Sequence, residues 1–411
     1  MVAGWKTLGD DISRRLWLLN SDSLCGEARR RSRLDNFGDL PINPALSILV
    51  KSLETEANLH PRGRFLMRAH LLELLETRLR LIHAWHKGPE TPETSVIERP
   101  IFITGIPRSG SSFLHELLAE DPENRAPRAW EVMFPIPIGS KRQKNVDLRV
   151  RKAEVCLWWF RRLAPGADSV YPIRASTPHE CVAIHSYTLL SEEFVSTCHV
   201  PSYEAFLHAA DLGPIYRWER RFLQYLQAGG CSKRRWVLKS PDHVYGLDKL
   251  LAAFPDAAII QTHRNPFDVV RSQIRLTRVL EAMYARPRPQ LVTSEVRKIE
   301  QIIGYITRFR DVYPDVSENI IDVTYRELVS DPLAVVRRIY DRLGIQLTDS
   351  AAERMRRFAS ARSRYKERSR CSAPAGDVGL DRVAVSHEFE DYCSRFGIPY
   401  QPFVPRILSN F

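Results

Sequence analysis

Pro100-Ile-Phe-Ile-Thr-Gly105-Ile-Pro107-Arg108-Ser109-Gly110-Ser111-Ser112-Phe113, running on through Glu120, decides how the chain is read. A short apolar run, a turn with two glycines and a helical pattern follow one another, which reads as strand, loop and helix. Gly105 and Gly110 have the spacing of a phosphate-binding loop, and Ser112 stands where that motif carries its Ser or Thr. Ser111 stands where the motif demands lysine. Backbone N–H groups and the positive end of the helix dipole still favour an oxyanion there, and Arg108 can add charge-assisted hydrogen bonds. The loop therefore predicts a phosphate-like ligand other than ATP with magnesium.

Working outward, three more apolar runs are each followed by a turn and a helical pattern. They are Arg235–Leu238, then Ala257–Thr262, then Asn319–Val323. Alternating strands and helices of this kind predict a parallel sheet covered on both faces, with ligands beyond the carboxyl ends of the strands. Polar clusters sit at all four ends: the loop just described, Lys239-Ser-Pro-Asp-His243, His263-Arg264-Asn265-Pro266, and Tyr325-Arg-Glu. Asn265 and Pro266 mark a helix start, which sets Arg264 at a strand end. A lysine directly after a buried strand, as Lys239 is, is well placed to meet an anion. Arg108 and Arg264 together suggest a ligand with two separated anionic centres.

The remainder is helical by its apolar spacing. Residues 1–86 form a helical N-terminal region that includes Ala45–Leu59 and Phe65–Trp85. About 130 residues separate the first two strands, too many for a simple crossover, so a helical insertion is expected over roughly 141–230, carried by Lys141–Leu163 and Glu204–Leu226. Residues 344–411 form a C-terminal region, whose basic run Arg354–Arg370 reads as a solvated helix face. The expectation is one domain over 1–411, with an α/β core at 100–343. Its fold class is a P-loop-like three-layer α/β/α arrangement around a central parallel sheet.

Composition narrows the function classes. The 411 residues carry 60 Lys and Arg against 49 Asp and Glu, a net charge of +11, which favours anionic ligands without choosing among them. Seven widely spaced cysteines argue against a disulfide framework and for a reducing compartment. Met1–Asn20 has no uninterrupted apolar run, and no stretch approaches the ~20 apolar residues of a membrane span. A cytoplasmic protein is expected.

At these residues the chain resembles the sulfotransferases that use 3′-phosphoadenosine 5′-phosphosulfate (PAPS), in the bacterial family related to the protein-tyrosine sulfotransferases. The resemblance runs from about Pro100 to about Leu343. It rests on Gly105-Ile-Pro-Arg-Ser-Gly-Ser-Ser112 and Thr262-His-Arg-Asn-Pro-Phe-Asp-Val-Val-Arg-Ser272, with Trp236-Val-Leu-Lys-Ser-Pro-Asp-His243 and Val323-Thr-Tyr-Arg-Glu-Leu328 in support. Carried over by motif, the resemblance implies that Pro107, Arg108, Ser109, Gly110, Ser111, Ser112 and Phe113 hold the 5′-phosphosulfate. Arg264 and Ser272 would hold the 3′-phosphate, with Tyr325 near the phosphates. Arg108 and Lys239 would face the transferring group. By order and distance, Glu131 falls where tyrosine sulfotransferases have their base, on a proline-rich segment (Pro127–Pro135) expected to run extended across the cleft mouth. His179, Glu180, His185 and His243 are the alternatives. The C-terminus departs from the family: Cys371-Ser-Ala-Pro-Ala replaces a His- and Tyr-containing run before Val378-Gly379-Leu380.

PAPS is thus the expected co-substrate, 3′-phosphoadenosine 5′-phosphate (PAP) the product, and no metal is expected. A sulfuryl group carries less charge than a γ-phosphoryl, so cationic side chains and N–H groups can serve where a kinase needs magnesium. The acceptor would be a hydroxyl or amine of a small molecule, lipid or glycan, with no nucleic acid partner. Aromatic residues of the insertion (Trp158, Trp159, Tyr171, Phe194, Tyr203) fit an apolar or glycan acceptor or a helical core. Two rival readings are a P-loop kinase of a small metabolite and a non-catalytic nucleic-acid-binding protein. The former lacks the lysine, and the latter lacks any groove-reading module.

Overall fold

The computed structural model describes residues 12–87, 95–137, 148–228, 235–370 and 387–400. Its centre is a five-stranded parallel sheet in the spatial order β2 (Asn124–Arg125), β3 (Arg235–Lys239), β1 (Ile101–Gly105), β4 (Ala258–His263), β5 (Ile321–Thr324). Four strands fall within one or two residues of the apolar runs that predict them. The two-residue β2 has no such run and escapes the sequence reading.

Alternation along β1 explains the layering. Ile101 and Ile103 face one side, against Leu114, Leu117 and Leu118 of the helix Ser111–Leu118 and Val336 and Ile339 of the helix Pro332–Leu343. Phe102 faces the other, in a cluster with Trp236, Leu238 and Phe254. That second cluster extends into the helices Ala45–Thr55 and Pro61–Lys87 and into the insertion. Arg78, wholly buried, ties these parts together. It donates to the carbonyls of Phe37 at 2.8 Å, Tyr187 at 3.0 Å and Leu40, and lies over the Trp218 ring. Burial lowers its pKa to about 10, and the three carbonyls supply the hydrogen bonds that a buried guanidinium requires.

The insertion differs from expectation in one place. Glu204–Leu226 is two helices, Pro201–Ala209 and Gly213–Ala228, broken at Asp211, whose carboxylate accepts from the Gly213 N–H at 3.0 Å. This local side-chain bond competes with helix continuation, and Gly213-Pro214 starts the next helix. Residues 138–147 and the divergent Cys371–Leu380 stretch lie outside the described residues. The basic C-terminal run is part of the helix Asp349–Arg370. Arg354, Arg356 and Arg357 on it are solvated as expected, while Arg362 turns inward to pair with Glu116 at 3.2 Å.

Candidate active site

Strand register brings the polar clusters to one edge. Ile103 pairs with Lys239 on one side and Ile260 on the other, and Gly105 pairs with Thr262. Gly105 has φ +122°, and a Cβ there would lie 2.2 Å from the Thr262 carbonyl oxygen. The turn between β1 and the following helix can therefore close only with glycine. Arg108 adopts a positive φ of 62°, a sparsely populated conformation for a non-glycine residue, at the apex of the loop. Ser109 is wholly buried. Its hydroxyl reaches the Ile106 carbonyl at 2.5 Å and the Thr262 hydroxyl at 2.6 Å, so the side chain fastens the loop to β4 and its N–H is the group left for a ligand. Gly110 (φ +95°) precedes Ser111 and Ser112, which open the helix Ser111–Leu118, and a Cβ there would lie 3.1 Å from both the Tyr325 ring and the Leu328 side chain. Pro107 is half-buried at the loop rim, and Phe113 stacks on Phe358 of the C-terminal helix.

The structure gathers Arg108, Arg264, Ser272 and Tyr325 into one pocket. Arg108 Nε donates to Ser272 Oγ at 3.0 Å and Nη2 donates to the Val170 carbonyl at 3.0 Å. Arg264 Nη1 donates to the Arg108 carbonyl at 3.0 Å, and its guanidinium lies 4.1 Å from the centre of the Tyr325 ring. Arg264 Nε is buried and has no protein partner among the described residues. Burial, with Arg264 adding to it, lowers the Arg108 pKa, although Glu180 opposes the shift. Arg264 thus meets Arg108 through the main chain, and its guanidinium also pairs with Asp268 at 3.5 Å.

A second cationic centre is built on Lys239. Its side chain is only 2% exposed at the end of β3, and its ammonium donates to Ser112 Oγ at 2.9 Å and pairs with the Glu180 carboxylate. Ser112 is solvent-exposed, while Lys239 itself is buried. Nearby, burial and then Glu180 push the Tyr171 phenol well above its ordinary pKa. His179 has a buried Nδ1 with no hydrogen-bond partner among the described residues, and burial lowers its pKa.

Glu131 is placed differently from expectation. Residues Ala129–Met133 form a short helix, not an extended path, and Glu131 caps its start by accepting from the Arg128 N–H at 2.9 Å. Its other oxygen accepts from Arg125 Nη2 at 2.8 Å. Both carboxylate oxygens are thus engaged by neighbouring donors. His185 and His243 are likewise interior. His185 Nε2 lies 2.9 Å from Glu219, and His243, pushed down to about 3 by burial, has Nδ1 3.2 Å from the Tyr216 hydroxyl. Among the described residues, Cys181, Glu219 and His243 are the one grouping whose ligand-type atoms, all buried, come within 4.8 Å of one another; this trio is not readable from sequence spacing. Glu180 is the candidate whose carboxylate meets Lys239.

Beyond the turn Pro241–Tyr245 lies a small cavity of about 30 Å³, lined by Leu190, Leu207, Ile215, Tyr216 and Tyr245 with His185, Glu192 and Asp242 among them. Burial raises the Asp242 pKa to about 7, with Glu192 adding to the effect.

Comparison with known proteins agrees with this geometry. The sulfotransferase family profile matches residues 100–349, more than half of the chain. The chain is 24% identical over 340 residues to the omega-hydroxy-beta-dihydromenaquinone-9 sulfotransferase Stf3 of Mycobacterium bovis, covering 75% of this chain and 79% of that protein. It resembles the crystal structure of sulfotransferase STF1 of Mycobacterium tuberculosis, with a TM-score of 0.76 and 28% identity over 92% of this chain and 98% of that one. The fold also matches sulfotransferase STF9 of Mycobacterium avium, with a TM-score of 0.78 and 24% identity over 93% and 98% of the two chains. A phosphate-type loop without its lysine, a strand-end arginine pocket and a family match across both place this chain in the sulfotransferase family, as an enzyme that transfers sulfuryl groups.

Proposed function

We propose that the chain takes the sulfuryl group from PAPS and passes it to a hydroxyl of an apolar, lipid-type acceptor. The observation that carries this reading is the Lys239 ammonium bridging Ser112 and Glu180 at the mouth of the loop. The pocket of Arg264, Ser272 and Arg108 would hold the 3′-phosphate, with the unpaired Arg264 Nε as a ready donor. The N–H groups of Ser109, Gly110, Ser111 and Ser112, with Pro107 and Phe113 bounding them, would hold the 5′-phosphosulfate.

In this reading Lys239 moves its hydrogen bonds from Glu180 to the oxygen between phosphorus and sulfur as that bond breaks and charge gathers there. Glu180, released, accepts the acceptor's hydroxyl proton while the acceptor oxygen bonds to sulfur. The products are PAP and a sulfate ester, with the proton on Glu180. Arg108 plays a binding role at the 3′-phosphate. The relative Stf3 is named for a menaquinone acceptor, which supports an apolar acceptor. One buried cluster from Leu19 to Ile320 supports reading the chain as a single folding unit.

Calorimetry with PAP and with AMP, both in the presence of a chelator, tests the nucleotide assignment. PAP should bind without metal and about 10–100-fold more tightly than AMP, the worth of a charged hydrogen-bond pair at ~1.5–3 kcal/mol. Equal affinities would overturn the 3′-phosphate pocket.

A further inference from the structure

We propose that the helix Leu148–Leu163 is a docking surface for an anionic lipid bilayer. This helix already has a core face: Ala153 and Leu157 are buried, with Phe160 beside them, against Ala129, Phe134 and Ile173. Its opposite side carries a second apolar stripe that nothing covers among the described residues. Val155, Trp158 and Trp159 are 57%, 45% and 54% exposed, and Leu148 is exposed as well. Exposed positions 148, 151, 152, 155, 158, 159 and 162 recur every three or four residues, so they share one face of the helix. Scattered exposed apolar residues mean little, but two adjacent tryptophans on a continuous stripe do not.

The polar members of the stripe say what covers it. They are Arg151, Lys152 and Arg162, and no acid lies among them. Arg162 lies 5.1 Å from the Trp158 ring centre, and the two tryptophans meet edge to face at 4.8 Å. Acids do lie on the flanks. Glu73 pairs with Lys152 at 3.4 Å, and Glu154 is turned away to accept from the Ala175 N–H at 2.8 Å. Indole rings prefer the water–hydrocarbon boundary, where one edge is wet and the other apolar, and arginines beside them meet lipid phosphates. A protein partner of comparable apolar content would have to neutralise Arg151 and Arg162. A bilayer with anionic headgroups does so over its whole surface.

The stripe is also tied to the candidate site. The chain leaving this helix carries Val170, whose carbonyl holds Arg108 at 3.0 Å, and Tyr171 beside Glu180. Docking through this face would keep the site close to the headgroup plane. The inference does not depend on the identity of the acceptor or on the sulfuryl donor.

The test is sedimentation of the full chain with phosphatidylglycerol vesicles and, separately, with phosphatidylcholine vesicles, alongside tryptophan emission. The wild type should pellet with phosphatidylglycerol vesicles with a blue-shifted emission, and bind phosphatidylcholine at least about tenfold more weakly. Trp158→Ser with Trp159→Ser should weaken phosphatidylglycerol binding by at least about tenfold and abolish the blue shift. Arg151→Gln with Arg162→Gln should remove most of the preference for the anionic lipid. PAP affinity, which reports the nucleotide pocket, should be unchanged in both variants, so failure here is distinct from failure of the sulfotransferase site. Failure of the wild type to bind phosphatidylglycerol vesicles would overturn the proposal. So would equal binding by the double-tryptophan variant, or a wild-type dimer in solution that the tryptophan substitutions convert to monomer.

Discussion

Replacing Lys239 with methionine keeps the length and apolar stem of the side chain and removes only the ammonium. The ammonium makes one hydrogen bond to Ser112 and one ion pair with Glu180, at a position 2% exposed. Two effects follow, and they separate. Loss of a donor aimed at developing charge costs about 2.7–4 kcal/mol in the barrier, or roughly 10²–10³ in rate. Loss of the partner leaves the part-buried Glu180 carboxylate without its countercharge, which destabilises the fold by up to about 3 kcal/mol, less than the full cost at a sealed site. Glu180→Gln in the same background removes that second cost, so Lys239→Met with Glu180→Gln should be more stable than Lys239→Met alone. Single-turnover transfer with saturating PAPS reads the first effect, and urea unfolding of the four proteins of the cycle reads the second. Transfer by Lys239→Met within about threefold of wild type would refute the role given to the ammonium. Additive stabilities in the cycle would refute the pairing.

Glu131→Gln should behave as a stability variant. It keeps the capping acceptor but loses the ion pair to Arg125, for about 1–3 kcal/mol by chemical denaturation, while the transfer rate per folded molecule stays within about threefold. Gly105→Ala should cost at least about 2 kcal/mol and abolish PAP binding in calorimetry, because the added Cβ collides with the Thr262 backbone and displaces the loop. Asp242 gives a pH signature. Its folded pKa of about 7 against an ordinary 3.8 means that the folded state holds the proton more tightly. The Asp242 contribution to folding is therefore most favourable below about pH 4, weakens as the pH rises, and carries its full penalty, on the order of 4 kcal/mol, above about pH 7. Asp242→Asn should stabilise the protein at pH 8 and much less at pH 4.5, read from unfolding midpoints at both.

The sheet was legible because β1, β3 and β4 are buried on both faces, β5 on one, and each ends in a turn of marked chemistry. The loop, the arginine pocket and Lys239 were legible for the same reason: parallel strands deliver their carboxyl ends to one edge, so residues far apart in sequence converge there. What the sequence hid was mostly settled by local hydrogen bonds. Glu131 caps its helix by accepting from the Arg128 N–H three residues back, with no Ser or Thr at the start to signal it. Asp211 and Gly213 break a helix that the apolar spacing alone would continue. Ser109 spends its hydroxyl on Thr262, a partner 153 positions away. The meeting of Glu180 with Lys239 depends on how the insertion packs back onto β3, and no spacing in the chain encodes it.

Transfer of labelled sulfur from PAPS by wild type and by Glu180→Gln, in the presence of a chelator and of lipid extract, tests the chemistry most directly. Sulfuryl transfer with Glu180 as base predicts a labelled sulfate ester formed in step with PAP, without metal, and slowed about 10²–10⁴-fold in Glu180→Gln at unchanged PAP affinity. A labelled ester formed at the wild-type rate by Glu180→Gln, or transfer from ATP with magnesium in place of PAPS, would contradict it.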